Sequence, residues 1–310
     1  MNRKRKLFES EDNMLKGIHF LLTYMCNYSC EHCFLYCSPN SQGTFTLAQI
    51  EEILREAKKI ETVEWIYFEG GEPFLYYPIM VEGVKLAKKQ GFKVGIVTNS
   101  YWATNVEDAE IWLKPFKESD IDDISISDDT FHFGDEKENP SKIAKRAAEN
   151  LKIPSTSICI EEPTVQREQE KGEPVISGGA MFKGRAVETL IENLPKRPWE
   201  ELNRCPYEDL EGLGRIHVDP FGNAHICQGL SIGNFWQIPL SELIRNYNAN
   251  SHPICGPLIQ GGPVQLVRKY DMKHEKEYVD ECHLCYLARL SLIDKFPEYL
   301  TPRQVYGLEQ

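Results

Sequence analysis

Two hydrophobic periods alternate along the first half of the chain, and that alternation constrains the fold more than any other feature. "IHFLLT" (18–23), "VEWIYF" (63–68), "FKVGIVT" (92–98), "IDDISIS" (121–127) and "STSICIE" (155–161) carry strand patterns. Between them "TLAQIEEILREAKKI" (46–60), "IMVEGVKLAKK" (79–89), "VEDAEIWLKPF" (106–116) and "SKIAKRAAENL" (141–151) carry helical ones. Thr46 and Gln49 have the spacing of a capping box, which sets the start of the first helix. Strand–helix alternation of this kind builds a parallel sheet, and five or six units make an open or partial α/β barrel. The later strands are polar on one face: Ser125, Ser127 and Asp129 in one, and Ser157, Cys159 and Glu161 in the next. Because helices cover the outside of such sheets, this predicts a polar lumen. Residues 163–185 break the rhythm with charge, Pro and Gly and read as a loop, with a sixth strand near Val175–Ser177.

Charge and cysteine usage narrow the functional classes. A net charge of −12 argues against general affinity for nucleic acid. There is no apolar run long enough to span a membrane. The opening "MNRKRKLFES" lacks the apolar stretch of a secretory signal, so Arg3 to Lys6 read as a solvated tail. Ten cysteines without such a signal imply a reducing, cytoplasmic setting, where clustered thiols bind metal or do chemistry.

Four of those cysteines fall within "TYMCNYSCEHCFLYC" (23–37), directly after the first strand, at the end where βα barrels put their active sites. The spacing Cys26-x3-Cys30-x2-Cys33 lets one loop wrap a small inorganic cluster through three thiolates. Zinc prefers paired Cys/His spacings, which this stretch meets only if His32 and Cys37 are enlisted. The second strand ends in "FEGGEP", whose Gly70-Gly71-Glu72-Pro73 alone reads as a tight turn.

Together, the Cys26–Cys33 spacing and the Gly70–Pro73 segment one βα unit later resemble the radical S-adenosylmethionine (SAM) enzymes. His32 departs from the aromatic residue common before the third cysteine, while still supplying a flat ring. The resemblance implies a (βα)6 partial barrel of TIM type over residues 18–194, after an N-terminal extension 1–17. It also implies a 4Fe–4S cluster on Cys26, Cys30 and Cys33, with SAM on the fourth iron, which leaves Cys37 a bystander. Gly70, Gly71, Glu72 and Pro73 are then expected to receive the amino group of SAM. Thr98 and Asn99 in "IVTNS", and Ser127 and Asp129 in "SISDDTFH", are expected to meet the rest of the cofactor. The register at Asp128 is open by one residue. Asp128, His132 and Glu161 are candidate substrate-facing, catalytic groups. A flavodoxin- or ferredoxin-type protein is the expected electron donor.

From about residue 195 the pattern changes to short strands, turns and the remaining cysteines. Gly222-x4-Cys227 and the following "GLSIGNFWQIPLSELIRNY" resemble the auxiliary-cluster region called SPASM or twitch. This implies a smaller cysteine-rich domain over 195–310 and one auxiliary 4Fe–4S cluster on Cys205, Cys227, Cys282 and Cys285. Cys255 is an alternative ligand, and four thiolates would equally satisfy zinc. Cys159 reads as a packed or lumen-facing thiol, and His19, His217 and His252 carry no spacing signal. SPASM and twitch enzymes most often modify peptides or proteins. With about seventeen residues before the first strand, a peptide-modifying enzyme would need a separate recognition protein. A small-molecule substrate (sugar, nucleoside or cofactor precursor) is the second reading. A non-catalytic zinc or iron–sulfur protein is the rival from another class.

Overall fold

A computed structural model of the chain describes residues 14–134, 138–167 and 174–309; the basic segment Arg3 to Lys6 lies outside them. Strands β1 (Gly17–Thr23), β2 (Trp65–Gly70), β3 (Lys93–Thr98), β4 (Asp123–Ser127) and β5 (Ser155–Ile158) are joined by helices α1 (Leu47–Ala57), α2 (Tyr77–Lys89), α3 (Val106–Glu118) and α5 (Pro140–Asn150), with a one-turn α4 (Thr130–Phe133) after β4. Thr46 closes the expected capping box with Gln49. Alternation puts Ile18, Phe20 and Leu22 of β1 with Ile66 and Phe68 of β2 under the helices, all without solvent exposure. The other face carries His19, Tyr67, Glu69, Asp123 and Ser125. The polar lumen is therefore real on β1, β2 and β4, where Ser125 Oγ donates to Asp123 Oδ2 at 2.7 Å.

Two expectations are corrected. The segment near Val175–Ser177 is β7 (Pro174–Ser177), which pairs antiparallel with β6 (Thr164–Arg167) in a separate hairpin. The sixth parallel strand comes from later in the chain and lies on the opposite flank. After β8 (Arg197–Pro198), β9 (Arg215–Val218) pairs parallel with β1, matching His217 to His19. Among the described residues the sheet runs β11-β10-β9-β1-β2-β3-β4-β5, with β10 (Asn223–Cys227) and β11 (Leu230–Asn234) antiparallel. The second correction concerns β5. Cys159 is exposed, Ser157 meets Lys145 at the surface, and Ile158 and Ile160 turn inward. β5 is the edge strand, so its outer face is incompletely covered and takes the polar residues.

The C-terminal part contributes α6 (Ala186–Thr189), α7 (Leu240–Asn246), α8 (Cys255–Lys269), β12 (Glu277–Tyr278), which pairs with β8, and α9 (Glu281–Ser291). It docks on the barrel through buried Asp219, which accepts from the Tyr24 hydroxyl at 3.0 Å, the Asn223 amide and His225 Nε2. α8 is kinked at Gly261–Gly262. Gly262 has φ +60°, and a Cβ there would lie 2.2 Å from the Arg204 nitrogen, so only glycine lets the segment before Cys205 pack this closely. No helix among the described residues is long and apolar enough to cross a membrane.

Candidate active site

A cavity of about 300 Å³ opens at the carboxyl ends of the parallel strands, and Cys26, Cys30, Cys33 and Cys37 all border it. The loop that carries them is shaped by backbone bonds. Cys26 N–H donates to Ser38 O at 3.1 Å, and Cys33 N–H donates to Cys30 O at 3.1 Å. Polar hydrogens already point at the sulfurs: Tyr28 N–H and the Asn99 amide reach Cys26 Sγ at 3.5 and 3.7 Å, and Cys37 N–H reaches Cys33 Sγ at 3.3 Å. Burial pushes the Cys26 and Cys30 thiols up to about 12, while hydrogen bonding from Cys37 pulls Cys33 down. Cys37 is itself 2 % exposed and packs with Leu21, Tyr24 and Val305.

A segment that periodicity did not single out clamps this loop. Arg185 donates to the carbonyls of Cys30 and Cys37, both at 2.7 Å, and its backbone N–H reaches Cys33 O at 3.0 Å. Its guanidinium also stacks over Tyr36. Replacing Arg185 by alanine removes two charge-assisted bonds, on the order of 2–3 kcal/mol. We expect iron bound at this loop to be lost to a chelator roughly ten-fold faster or more, measured as the release rate, with Arg185→Lys intermediate.

Gly70 and Gly71 form the cavity wall at the end of β2. A Cβ on Gly71 would sit 2.2 Å from Met25 O, so the glycine lets β2 lie against the cysteine loop. Glu72 and Pro73 are behind that wall. The Glu72 side chain is fully buried and accepts from Phe74 N–H (3.0 Å), Thr98 Oγ1 (2.9 Å) and Asn99 N–H (2.7 Å). It thus bolts the end of β2 to the end of β3 and points away from the cavity. Thr98 and Asn99 border the cavity, and the Asn99 amide donates to Asn27 Oδ1 at 2.9 Å.

At the end of β4, Ser127, Asp129 and His132 border the cavity, with His132 Nδ1 2.7 Å from Asp129 Oδ1. Asp128 faces the other way and accepts from Ser141 Oγ at 2.6 Å at the start of α5. Glu161 is exposed and outside the cavity. His32 borders the cavity against Phe131, its ring kept neutral by burial, which lowers it to about 4. Sequence reasoning missed Glu69, also on the wall, which bridges His19 Nδ1 and His217 Nε2 at 3.1 Å each. The two imidazoles hold its carboxyl well below the usual range against the opposing effect of burial. The signal was the odd-numbered face of β1 and β2; the partner histidine on β9 is remote in sequence.

A second, smaller cavity of about 30 Å³ is bordered by Cys205, Cys227, Cys282 and Cys285, the expected four. Cys282 and Cys285 lie one turn apart at the start of α9, which Asp280 caps through His283 N–H. Cys255 is not on this cavity; it is fully buried, with its backbone N–H on His252 Nδ1. Lys183 and Arg289 border the four thiols. Met181 borders both cavities. Among the described residues, two Cys/His/Asp/Glu groups are tight enough for a single ion, His19–Glu69–His217 and His32–Asp129–His132, and neither contains a cysteine. Thiolates on one zinc lie about 3.8 Å apart, from Zn–S bonds of about 2.3 Å. The wider spread of these thiols suits a cluster better than an ion.

Residues 20–153 match the family model of the Radical SAM superfamily. YydG of Bacillus subtilis, a peptide biosynthesis protein by name, is 22% identical over 262 residues, covering 84% of this chain and 76% of its own. A Pyrococcus furiosus protein, named as the cofactor-modifying protein of tungsten-containing aldehyde ferredoxin oxidoreductase, is 32% identical over 243 residues; the match covers 74% of this chain and 64% of that one. Among solved structures, BtrN in complex with AdoMet and 2-DOIA shares the fold with a TM-score of 0.51 at 15% identity, over 76% of this chain and 84% of BtrN. The superfamily binds a 4Fe–4S cluster and SAM. With its partial parallel barrel and three thiols at the end of β1, this chain belongs to the radical SAM superfamily of enzymes.

Proposed function

We propose that the chain modifies a peptide or protein, with Cys26, Cys30 and Cys33 holding the SAM-binding cluster and Cys205, Cys227, Cys282 and Cys285 holding one auxiliary cluster. When bound and reduced, the first cluster with SAM supplies a 5′-deoxyadenosyl radical that removes a hydrogen atom from an unactivated position. The chain's own residues bind, orient and shield. Cys37 N–H and the Asn99 amide stabilise charge on Cys33 and Cys26, and Arg185 keeps the loop in shape. The backbone at Gly70 and Gly71 offers the face for the SAM amino group, and Ser127 and Asp129 offer polar groups for the ribose. His132 Nδ1 holds the proton shared with Asp129 Oδ1 and so fixes the carboxylate's direction. Glu72 acts from behind as a brace. A flavodoxin- or ferredoxin-type protein would deliver the electron, and a separate recognition protein would present the peptide.

One observation carries the choice of substrate. Among the described residues bordering the cavity there is no Lys or Arg, while Glu69 and Asp129 are on its wall. Such a wall offers a phosphate no Lys or Arg to pair with, which favours a peptide over a nucleotide. The name of YydG points the same way. The test is anaerobic turnover with SAM and reductant. Peptides translated from short reading frames beside the gene should accelerate 5′-deoxyadenosine formation and be altered in mass. Acceleration by nucleoside phosphates and by none of the peptides would reject the peptide reading.

A further inference from the structure

Two basic side chains are buried at the four-thiol cavity, and no carboxylate neutralises them well. Lys183 and Arg289 are each 2 % exposed. Arg289 donates to the Gln228 carbonyl at 3.0 Å and lies over the Tyr306 ring; its Nε has no partner, and no ion pair to it occurs among the described residues. Lys183 donates to Gln228 Oε1 at 2.7 Å and reaches Cys227 Sγ at 3.6 Å. Its only carboxylate among the described residues is Glu208 at 3.9 Å, which Arg215 shares. Buried cations without counter-charge are strongly unfavourable. The four thiols border the same cavity as both cations, and Cys227 Sγ is 3.6 Å from the Lys183 ammonium, so they lie where that charge is needed. Metal-bound thiolates supply it. Arg289 follows Cys282 and Cys285 on one face of α9, at spacings of seven and four residues. Lys183 arrives from the segment that also carries Met181, between the two cavities.

We propose that Lys183 and Arg289 are the charge-compensating pair of the four-thiol site and hold the centre bound there at a higher reduction potential than its thiolates alone would give. This rests on the reading of Cys205, Cys227, Cys282 and Cys285 as iron–sulfur ligands. Each added electron increases the negative charge, and two fixed cations in a poorly polarisable surrounding favour that state. Both are positioning residues acting through the bound group.

The test uses the full chain, anaerobically reconstituted, in the wild-type and the C26A/C30A/C33A backgrounds, so that the second site is read alone. Iron and sulfide are counted, and the midpoint potential is followed by electron paramagnetic resonance during dithionite titration. Arg289→Gln and Lys183→Met should each shift the midpoint downward, and the double variant further, while Arg289→Lys and Lys183→Arg stay near the parent. If Arg289→Gln fails to retain iron, retention by Arg289→Lys supports charge compensation, and loss from both overturns it for Arg289. An unchanged midpoint in Arg289→Gln and Lys183→Met, with iron retained, overturns the proposal alone. Zinc, or no iron, in the C26A/C30A/C33A background overturns the ligand reading and the proposal with it.

Discussion

Cys26→Ala is expected to reduce SAM cleavage to background, whereas Cys37→Ala leaves it within a few-fold of the parent. The two thiols are eleven positions apart on one loop and both border the same cavity, so the contrast is demanding. Cys26 sits where a backbone N–H and the Asn99 amide already converge on its sulfur. Without it, the cluster would keep two protein thiolates from this loop, too few to hold it against loss. Iron per chain should fall by roughly half if a second cluster remains. Alanine keeps the Cys37 backbone N–H, 3.3 Å from Cys33 Sγ, and loses the thiol hydrogen bond to Cys33. The Cys37 side chain fills a small apolar space, and its removal should cost about 1–2 kcal/mol of stability. Iron analysis and 5′-deoxyadenosine formation check both variants; equal loss from both would make Cys37 a ligand.

The second large effect is expected at Glu72. Glu72→Ala strands three buried donors, the N–H groups of Phe74 and Asn99 and the Thr98 hydroxyl. The cost is about 3–5 kcal/mol, a large part of a typical domain's stability. Glu72→Gln keeps one acceptor oxygen and shows the ionisation separately. Burial raises the Glu72 carboxyl from 4.5 to about 7, against the lowering effect of those same donors. Its contribution to the stability of the metal-free chain is therefore fully present below about pH 4.5 and is lost as pH rises through about 7. The loss is on the order of 3 kcal/mol. Half-buried His32 and buried His217, His252 and His283, with lowered values, run the other way. The effect is thus read as a difference: Glu72→Gln should gain stability relative to the parent between pH 5 and 8 in denaturant titrations. A parallel pair of curves would show that Glu72 is ionised throughout.

Glu72 also marks where sequence reasoning stopped. The glycine pair and its place after β2 were legible, because spacing along one chain is local information. The direction of the side chain was not. β1 and β2 slip register near Leu21 and Thr23, and Gly70 has φ +128°, so strand alternation no longer predicts which way residue 72 points. The same division holds elsewhere. Thr46 and Gln49, the Cys26–Cys33 spacing and the Cys282–Cys285 pair are short-range patterns and were readable, whereas only the resemblance grouped Cys205 and Cys227 with that pair on one cavity. Arg185, Lys183 and Glu69 depend on partners far along the chain. The "RIHV" of β9 is four residues long, too short for a period, and only its pairing with β1 identifies it. The polar face of Ser157, Cys159 and Glu161 points away from the lumen because β5 is an edge strand, which local alternation does not reveal, and Ile158 and Ile160 border the cavity instead.

The position of β9 beside β1 has a consequence for how the enzyme is made. β1 is complete at residue 23, yet one of its two neighbours ends at Val218. At translation speeds of about 5–20 residues per second, that flank stays unpaired for about 10–40 s on the ribosome. An open strand edge is a template for wrong pairing during this interval, and the Cys26 loop hangs from the end of that strand. Arg185, which clamps the loop, also arrives late. If Cys26, Cys30 and Cys33 hold the cluster as proposed, metal delivery to that loop is timed by the C-terminal part: iron offered to the nascent chain would meet three loose thiols, and iron offered after residue 218 a built site.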